Sequence, residues 1–492
     1  IENGFYYYFL LGSGYDSKGD MSIILDTVTF DAIGGALFAD TAGNITAEIN
    51  EVNVHNMLVF SYMIGMNVDL SVTNSNFVNC TGGFWIAAAT GADVEFIDIS
   101  VVNDPSYVSS SVLHAPLKVT VTNGTSNILL DNVTFENFDY GISYEVVSGN
   151  VSLHATNAVI DDIAYGPALS MVTHDGSIDV QIDGVKVANA SDGFVFVAST
   201  ISDFEMIDSD FSSIANNAMS MTFDYADLVA EIEGVHAIDI GSFLDLTVTF
   251  GNIDLAITDS LLLGNYAPGI FLIDATVNSN SLTNGFVTLT VVNSVFKNAS
   301  GGIRTWSEEL NPIDLTTTLF ENITGEAMHF DVRSGDLDFT FAGDDLTVVN
   351  SGTGIWAYAN NGDINLNLNG SYFNTNEFGV LLEVSSLSAE DMSVINMNVL
   401  DSVFEGGAYG IYALSQNGGE ALIEGSQFLG HHLVGYYFDS VYGEVNVTIT
   451  DNVFDGSSAN DINSYFVEQI DYEFELYGRS STEWIEVFDD SV

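Results

Sequence analysis

Asp401-Ser402-Val403-Phe404, Gly425-Ser426-Gln427-Phe428 and Asp451-Asn452-Val453-Phe454 state one short phrase three times, with the phenylalanine returning every 24 to 26 residues. That interval lies in the range of solenoid repeats, one phrase per coil. After Phe404 come a small turn (Gly406-Gly407-Ala408), an alternating apolar run (Tyr409 to Leu414), a polar turn (Ser415 to Gly419) and a second apolar run (Ala421-Leu422-Ile423). Turn residues thus punctuate short period-two strands, and no helical spacing intervenes.

Working outward, the phrase appears at Asp26-Thr27-Val28-Thr29-Phe30, Asn74-Ser75-Asn76-Phe77, Asp131-Asn132-Val133-Thr134-Phe135, Asp208-Ser209-Asp210-Phe211 and Asn293-Ser294-Val295-Phe296. Degenerate copies lie between them. Dividing the repeating region by the period predicts about 16 to 18 coils, which at a spacing of ~4.8 Å stack into a rod on the order of 80 Å long. The intervals Leu262 to Phe296 and Phe373 to Phe404 are stretched, and their extra residues, Asn278 to Asn284 and Ser385 to Asp391, are expected to leave one corner of the coil as loops.

Three segments follow: 1–20 as an N-terminal capping or docking strand, 21–456 as the solenoid, and 457–492 as a C-terminal cap or assembly strand. The first is unusually aromatic (Phe5, Tyr6, Tyr7, Tyr8, Phe9), and the last alternates through Tyr472, Phe474 and Trp484. Exposed coil ends need a cap or a partner, so these residues are the expected assembly elements.

The 492 residues carry 68 Asp and Glu against seven Lys and Arg, a net charge of −61. Like charge argues against nucleic acid and anionic membrane surfaces as partners. The acidity is spread along the chain, which suits salty water or divalent cations, with plain solubility the simpler reading. No apolar run approaches the ~18 residues of a membrane span. Cys80 stands alone, so no intrachain disulfide forms, and its place three residues after Phe77 reads as a buried turn. His431-His432 reads as a pair of corner residues. The ten N-x-S/T sequons are close to the number chance provides.

The residue three or four before Phe is mostly Asp or Asn, which tolerate left-handed backbone and bond locally at a bend. Asn there can form a ladder between coils. Aspartates there repel unless separated or neutralised, so Ca²⁺ is the alternative to a solvated turn, although neither an EF-hand nor a calcium β-roll motif is present.

These features together, [Asp/Asn]-[Ser/Asn]-x-Phe, a small turn, Gly-Ile and an alternating strand over roughly residues 21 to 456, resemble the coils of right-handed parallel β-helices of the pectate-lyase-like superfamily and of many surface proteins. The resemblance implies an all-β, single right-handed parallel β-helix. That fold carries lyases, hydrolases, adhesins and tailspikes alike, so it implies no one function.

Aligning the strand after each Gly places Phe271, Arg304, His329, Trp356, Leu381 and Tyr412 in one outward column, with Ile270, Ile303 and Ile355 among the inward residues. Ile273, Trp306, Asp331, Tyr358, Glu383 and Leu414 form a second outward column. Phe271, Trp306, Trp356, Tyr358 and Tyr412 are thereby the expected binding or interface residues, facing a protein or a polysaccharide. Lyases of the superfamily set a basic residue beside acidic Ca²⁺ ligands, and its hydrolases use several Asp. By that resemblance Arg304, Asp331 and Glu383 are the catalytic candidates, with Arg333 and Lys297 nearby, but no family catalytic motif matches. The leading expectation is a secreted or cell-surface structural solenoid that self-associates head to tail, with a carbohydrate-active lyase, hydrolase or adhesin as the alternative.

Overall fold

The computed structural model describes residues 10–12, 19–31, 35–57, 59–80, 82–104, 115–278, 285–332, 339–385, 393–441, 443, 445–455, 462–465 and 474–475. The fold is an all-β parallel solenoid of the right-handed type, about 16 turns, with 78% strand and, among the described residues, no helix. The chain divides into two compact units, residues 1–249 and 250–492.

Within each unit a coil contributes to three stacked parallel sheets. In the second unit the short sheet holds strands such as Val403–Glu405 and Gln427–Leu429. A glycine-led sheet follows, with Tyr409–Ser415 and Val434–Ser440, and then a third sheet, with Ile395–Leu400, Gly419–Glu424 and Val445–Thr450. Register is set by like residues stacking on like: Phe373, Phe404, Phe428 and Phe454 align in the short sheet. Their rings lie nearly parallel, with centroids 5.1, 5.0 and 4.8 Å apart.

The glycine-led sheet is built to receive those rings. A Cβ at Gly379 would lie 2.8 Å from the Phe404 ring and 2.4 Å from the Gly410 carbonyl, and one at Gly410 would lie 2.7 Å from the Phe428 ring. Each glycine therefore makes room for the phenylalanine of the next coil. This couples two parts of the repeat that lie far apart within a coil.

The residue three before each Phe adopts left-handed backbone. In the first unit this corner column reads Thr27, Glu51, Asn74, Asp98, Asn132, Asn157, Gly184, Asp208 and Gly234; in the second it reads Asp259, Asn293, Thr317, Asp345, Gly370, Asp401, Gly425 and Asp451. Within neither unit do two carboxylates stand on adjacent coils, so the repulsion expected of an aspartate ladder is met by separation. Asn132 donates from Nδ2 to Asp98 Oδ1 at 2.6 Å. At Gly425 a Cβ would lie 2.3 Å from Asp401 Oδ1, so the glycine leaves space for its neighbour's carboxylate as well as adopting φ +63°. A second left-handed corner, just after the Phe, carries an asparagine ladder in which Asn350 donates to Asn322 and Asn322 to Asn298.

The serine of the phrase has a role that its polarity alone does not suggest. Ser402 is fully buried, donates to the Leu400 carbonyl at 2.8 Å and accepts the Ser371 N–H of the preceding coil at 3.2 Å. Ser426 serves the Ser402 N–H in the same way, as do Ser75 for Val52 and Ser209 for Val185. Each hydroxyl caps a buried corner N–H that the strand ladders leave without a partner.

Towards the ends, strand Leu10–Gly12 pairs in parallel with Phe38–Asp40, and Phe474–Glu475 pairs with Ile449 and Thr450. Phe5 to Phe9, Tyr472 and Trp484 lie outside the described residues. So do the expected loop residues 279–284 and 386–391, but the strands that precede them, Phe271–Val277 and Tyr372–Ser385, reach the same corner of the glycine-led sheet.

Candidate functional site

The glycine-led sheet of the second unit carries the outward columns. One of them differs from its expected membership. Phe271 pairs with Gly301, Ile273 with Ile303 and Asp274 with Arg304, three residues away from the alignment on Gly269. Gly269 lies in a turn at φ +72°, Ile270 is 37% exposed and Ile273 is fully buried, reversing their expected sides. The reason is that Leu272 takes the place Gly302 holds in the next coil, so the glycine that guided the alignment belongs to the turn before it. The first column is therefore Asp274, Arg304, His329, Trp356, Leu381, Tyr412 and Tyr437; the second is Thr276, Trp306, Asp331, Tyr358, Glu383, Leu414 and Asp439.

Arg304 grips Asp274 through two donors, with Nε at 3.0 Å from Oδ1, and its guanidinium lies 5.0 Å from the centre of the Phe271 ring. Phe271 is thus a stacking partner beneath Arg304, and not a member of its column. His329 packs 4.5 Å from Trp356. Burial lowers the His329 imidazole below its usual value, against the opposing pull of Glu326 and Asp331. Tyr412 stacks on Tyr437 at 4.6 Å, and the edges of Tyr409 and Phe378 close around it. Its phenol is pushed up, first by desolvation and then by Tyr409, Asp439 and Glu383. The Tyr358 hydroxyl bonds Ser385 Oγ at 2.7 Å. Every member of this cluster is half-buried. Ring faces therefore meet one another along the stack and present mostly edges to water.

Asp331 and Glu383 fall in one column, as expected, with Tyr358 between them. Two coil spacings put them about 10 Å apart, at or beyond the separation of inverting carboxylate pairs, and the Tyr358 ring occupies the interval. Arg304 is committed to Asp274. Lys297 lies in the short sheet, where it pairs with Glu321 at 2.6 Å, and so is not near Asp331; Arg333 is outside the described residues. Sequence reasoning missed Asp274, whose signal was the run Phe271 to Val277 read from its own end instead of from the glycine.

Among the described residues, no group of three or more His, Cys, Asp or Glu is gathered to hold a metal ion. His431 is a buried corner residue, 3% exposed, beside the Gly406 and Phe404 backbone, and His432 is exposed. Cys80 fills a buried turn and its thiol is pushed up to about 12 by burial.

The class the fold defines is a parallel β-solenoid whose repeat writes its own ladders. Comparison of the chain with family models, with curated proteins and with solved structures gives no match.

Proposed function

We propose that the protein is a secreted or cell-surface structural β-solenoid that joins head to tail with further copies of itself. The observation that carries this reading is the state of the phrase column at its two extremes. In the first unit its members from Val54 to Ala237, and in the second those from Leu262 to Phe428, are at most 1% exposed. Phe30 and Phe454, the first and last described, are only partly buried. Thr29–Asp31 pairs only with Asn53–His55, and Val453–Asp455 only with Gln427–Leu429, among the described residues. Among the described residues, each extreme thus has a strand with a single ladder partner and a ring less buried than those of the interior. A further copy of the chain could complete such a strand, and a heterologous contact that does not close propagates as a filament.

An enzymatic role has less support, because Arg304 is occupied and Tyr358 separates the carboxylates. Electron microscopy and sedimentation of the purified chain test the proposal. Filaments, or oligomers lost on Phe454→Asp, are expected; particles that stay monomeric at high protein concentration and at moderate salt overturn it.

A further inference from the structure

Three residues after the phrase phenylalanine, or after the residue that replaces it, the chain turns a corner whose side chain enters the core. Register pairs this position as Phe138 with Ile163, Ala190 with Ile214 and Ala299 with Ile323, and all six are buried. After Phe428 the same position is His431, 3% exposed, its ring 6.3 Å from that of Phe428. A Cβ at Gly410 would lie 3.0 Å from His431 Nε2, so the glycine that clears the Phe428 ring clears the imidazole as well. A titratable ring thus stands where those coils seal the corner with hydrocarbon.

This corner is also held differently. In earlier coils of the unit the left-handed residue just before the position is an asparagine, and Asn350, Asn322 and Asn298 tie three coils together through their amides. In the coils of Phe404 and Phe428 that residue is Gly406, at φ +76°, and Gly430, at φ +67°, and Gly407 follows at φ +71°. Glycines have no amide to pass between coils. The Gly406 N–H donates to the Leu429 carbonyl and the His432 N–H to the Gly407 carbonyl, both at 2.9 Å, so backbone and the packing of His431 join the two turns. A glycine corner regains more conformational freedom on release than an asparagine one, which places this corner among the first to open.

The charges on the surrounding elements do not answer a proton there. Glu377, His432 and Asp455 are exposed, Glu405 faces outward and accepts the Tyr372 hydroxyl, and Asp439 accepts that of Tyr437. Tyr409, Tyr412, Tyr436 and Tyr437 are phenols, which bring no charge in acid. Among the described residues only His432 acts on the charge of the ring, and it does so as a like charge, on a chain with 68 carboxylates. Burial holds the His431 imidazole below its usual value, against the pull of the Gly406 and Phe404 backbone. The ring is therefore neutral while the corner is shut and charges more readily once water reaches it. We infer that His431 is an acid-sensitive latch, and that uptake of a proton opens the turn Gly406 to Ala408 and the corner Gly430 to Leu433 while the hydrocarbon corners stay closed. The latch does not depend on assembly.

Hydrogen exchange of the full chain, followed by mass spectrometry at pH 7 and pH 5 and divided by the chemical exchange rate of the free peptides, tests this. Peptides covering residues 404–434 are compared with those covering 296–326, which hold the Ala299 and Ile323 corner. Below about pH 6.5 the open form takes the proton first, so opening of 404–434 relative to 296–326 should rise by about threefold or more between the two pH values, and by no more than about tenfold per pH unit. His431→Ile, which restores the hydrocarbon of the other corners, should abolish the rise, and His431→Gln, neutral throughout, carries the same test should isoleucine pack badly. His432→Gln, at an exposed position, should keep it. An equal ratio at both pH values overturns the inference, as does a rise that survives both His431 variants or one that disappears with His432→Gln.

Discussion

Truncating Phe404 and Phe454 to alanine separates the interior of the phrase column from its end. Phe404 is fully buried and its ring is sandwiched, 5.1 Å from Phe373 on one side and 5.0 Å from Phe428 on the other. A Phe→Ala change in a core costs ~3–5 kcal/mol, and a site walled by stacked rings and strand backbone collapses poorly, so the upper end, ~5 kcal/mol, is expected. Among the described residues Phe454 stacks only on Phe428, and it is less buried than Phe404, so its loss is expected to cost less, ~2–3 kcal/mol. Urea unfolding at a protein concentration below that of any association, followed by fluorescence and by hydrogen exchange in the last coils, measures both. Exchange is needed because solenoids unfold piecewise and one global free energy is not assured. If Phe454→Ala costs as much as Phe404→Ala, the end ring is not half-used and the case for a docking edge fails.

Other changes test the corners. Ser402→Ala removes the acceptor of a buried N–H and should cost ~1–3 kcal/mol, far more than an exposed serine, by the same urea measurement. Gly425→Asp sets three carboxylates on successive coils between Asp401 and Asp451; the thermal midpoint should fall and then recover in part with high salt or millimolar Ca²⁺, and a change insensitive to both would refute the repulsion argument. Burial lowers the His431 pKa, aided by His432 and opposed by the Gly406 and Phe404 backbone. The unfolded imidazole then binds a proton more readily than the folded one, so this contribution is complete above about pH 6.5 and is lost as pH falls towards the folded value; His431→Gln should flatten the unfolding free energy between about pH 7 and 5. Cys80 should react with a thiol reagent only as fast as its coil opens, and immediate labelling of the native chain would contradict its burial.

Much of this architecture is legible in the chain because the repeat is written in residues with one physical meaning each. Asp401, Gly425 and Asp451 mark a left-handed corner, and Phe404 marks an inward position, so period and face are read together. Reading failed where one residue type serves two places. Gly269 belongs to a turn and Gly302 to a strand that must clear a ring, and nothing local in the sequence separates them. The serine ladder stood in the phrase, but its meaning lies in an N–H on another coil.

The spacing of acid along the left-handed corner limits how such a protein can lengthen or shorten. Deleting the coil that begins at Gly425 would bring Asp401 against Asp451, and deleting the one at Gly370 would bring Asp345 against Asp401. Loss of the coil that begins at Asn157 would instead seat Asn132 beside Gly184 without electrostatic penalty. Loss of a repeat is therefore tolerated where its two neighbours are not both acidic and resisted where a neutral corner, Asn74, Gly370 or Gly425, holds two acids apart, so these residues act as spacers that fix the count locally.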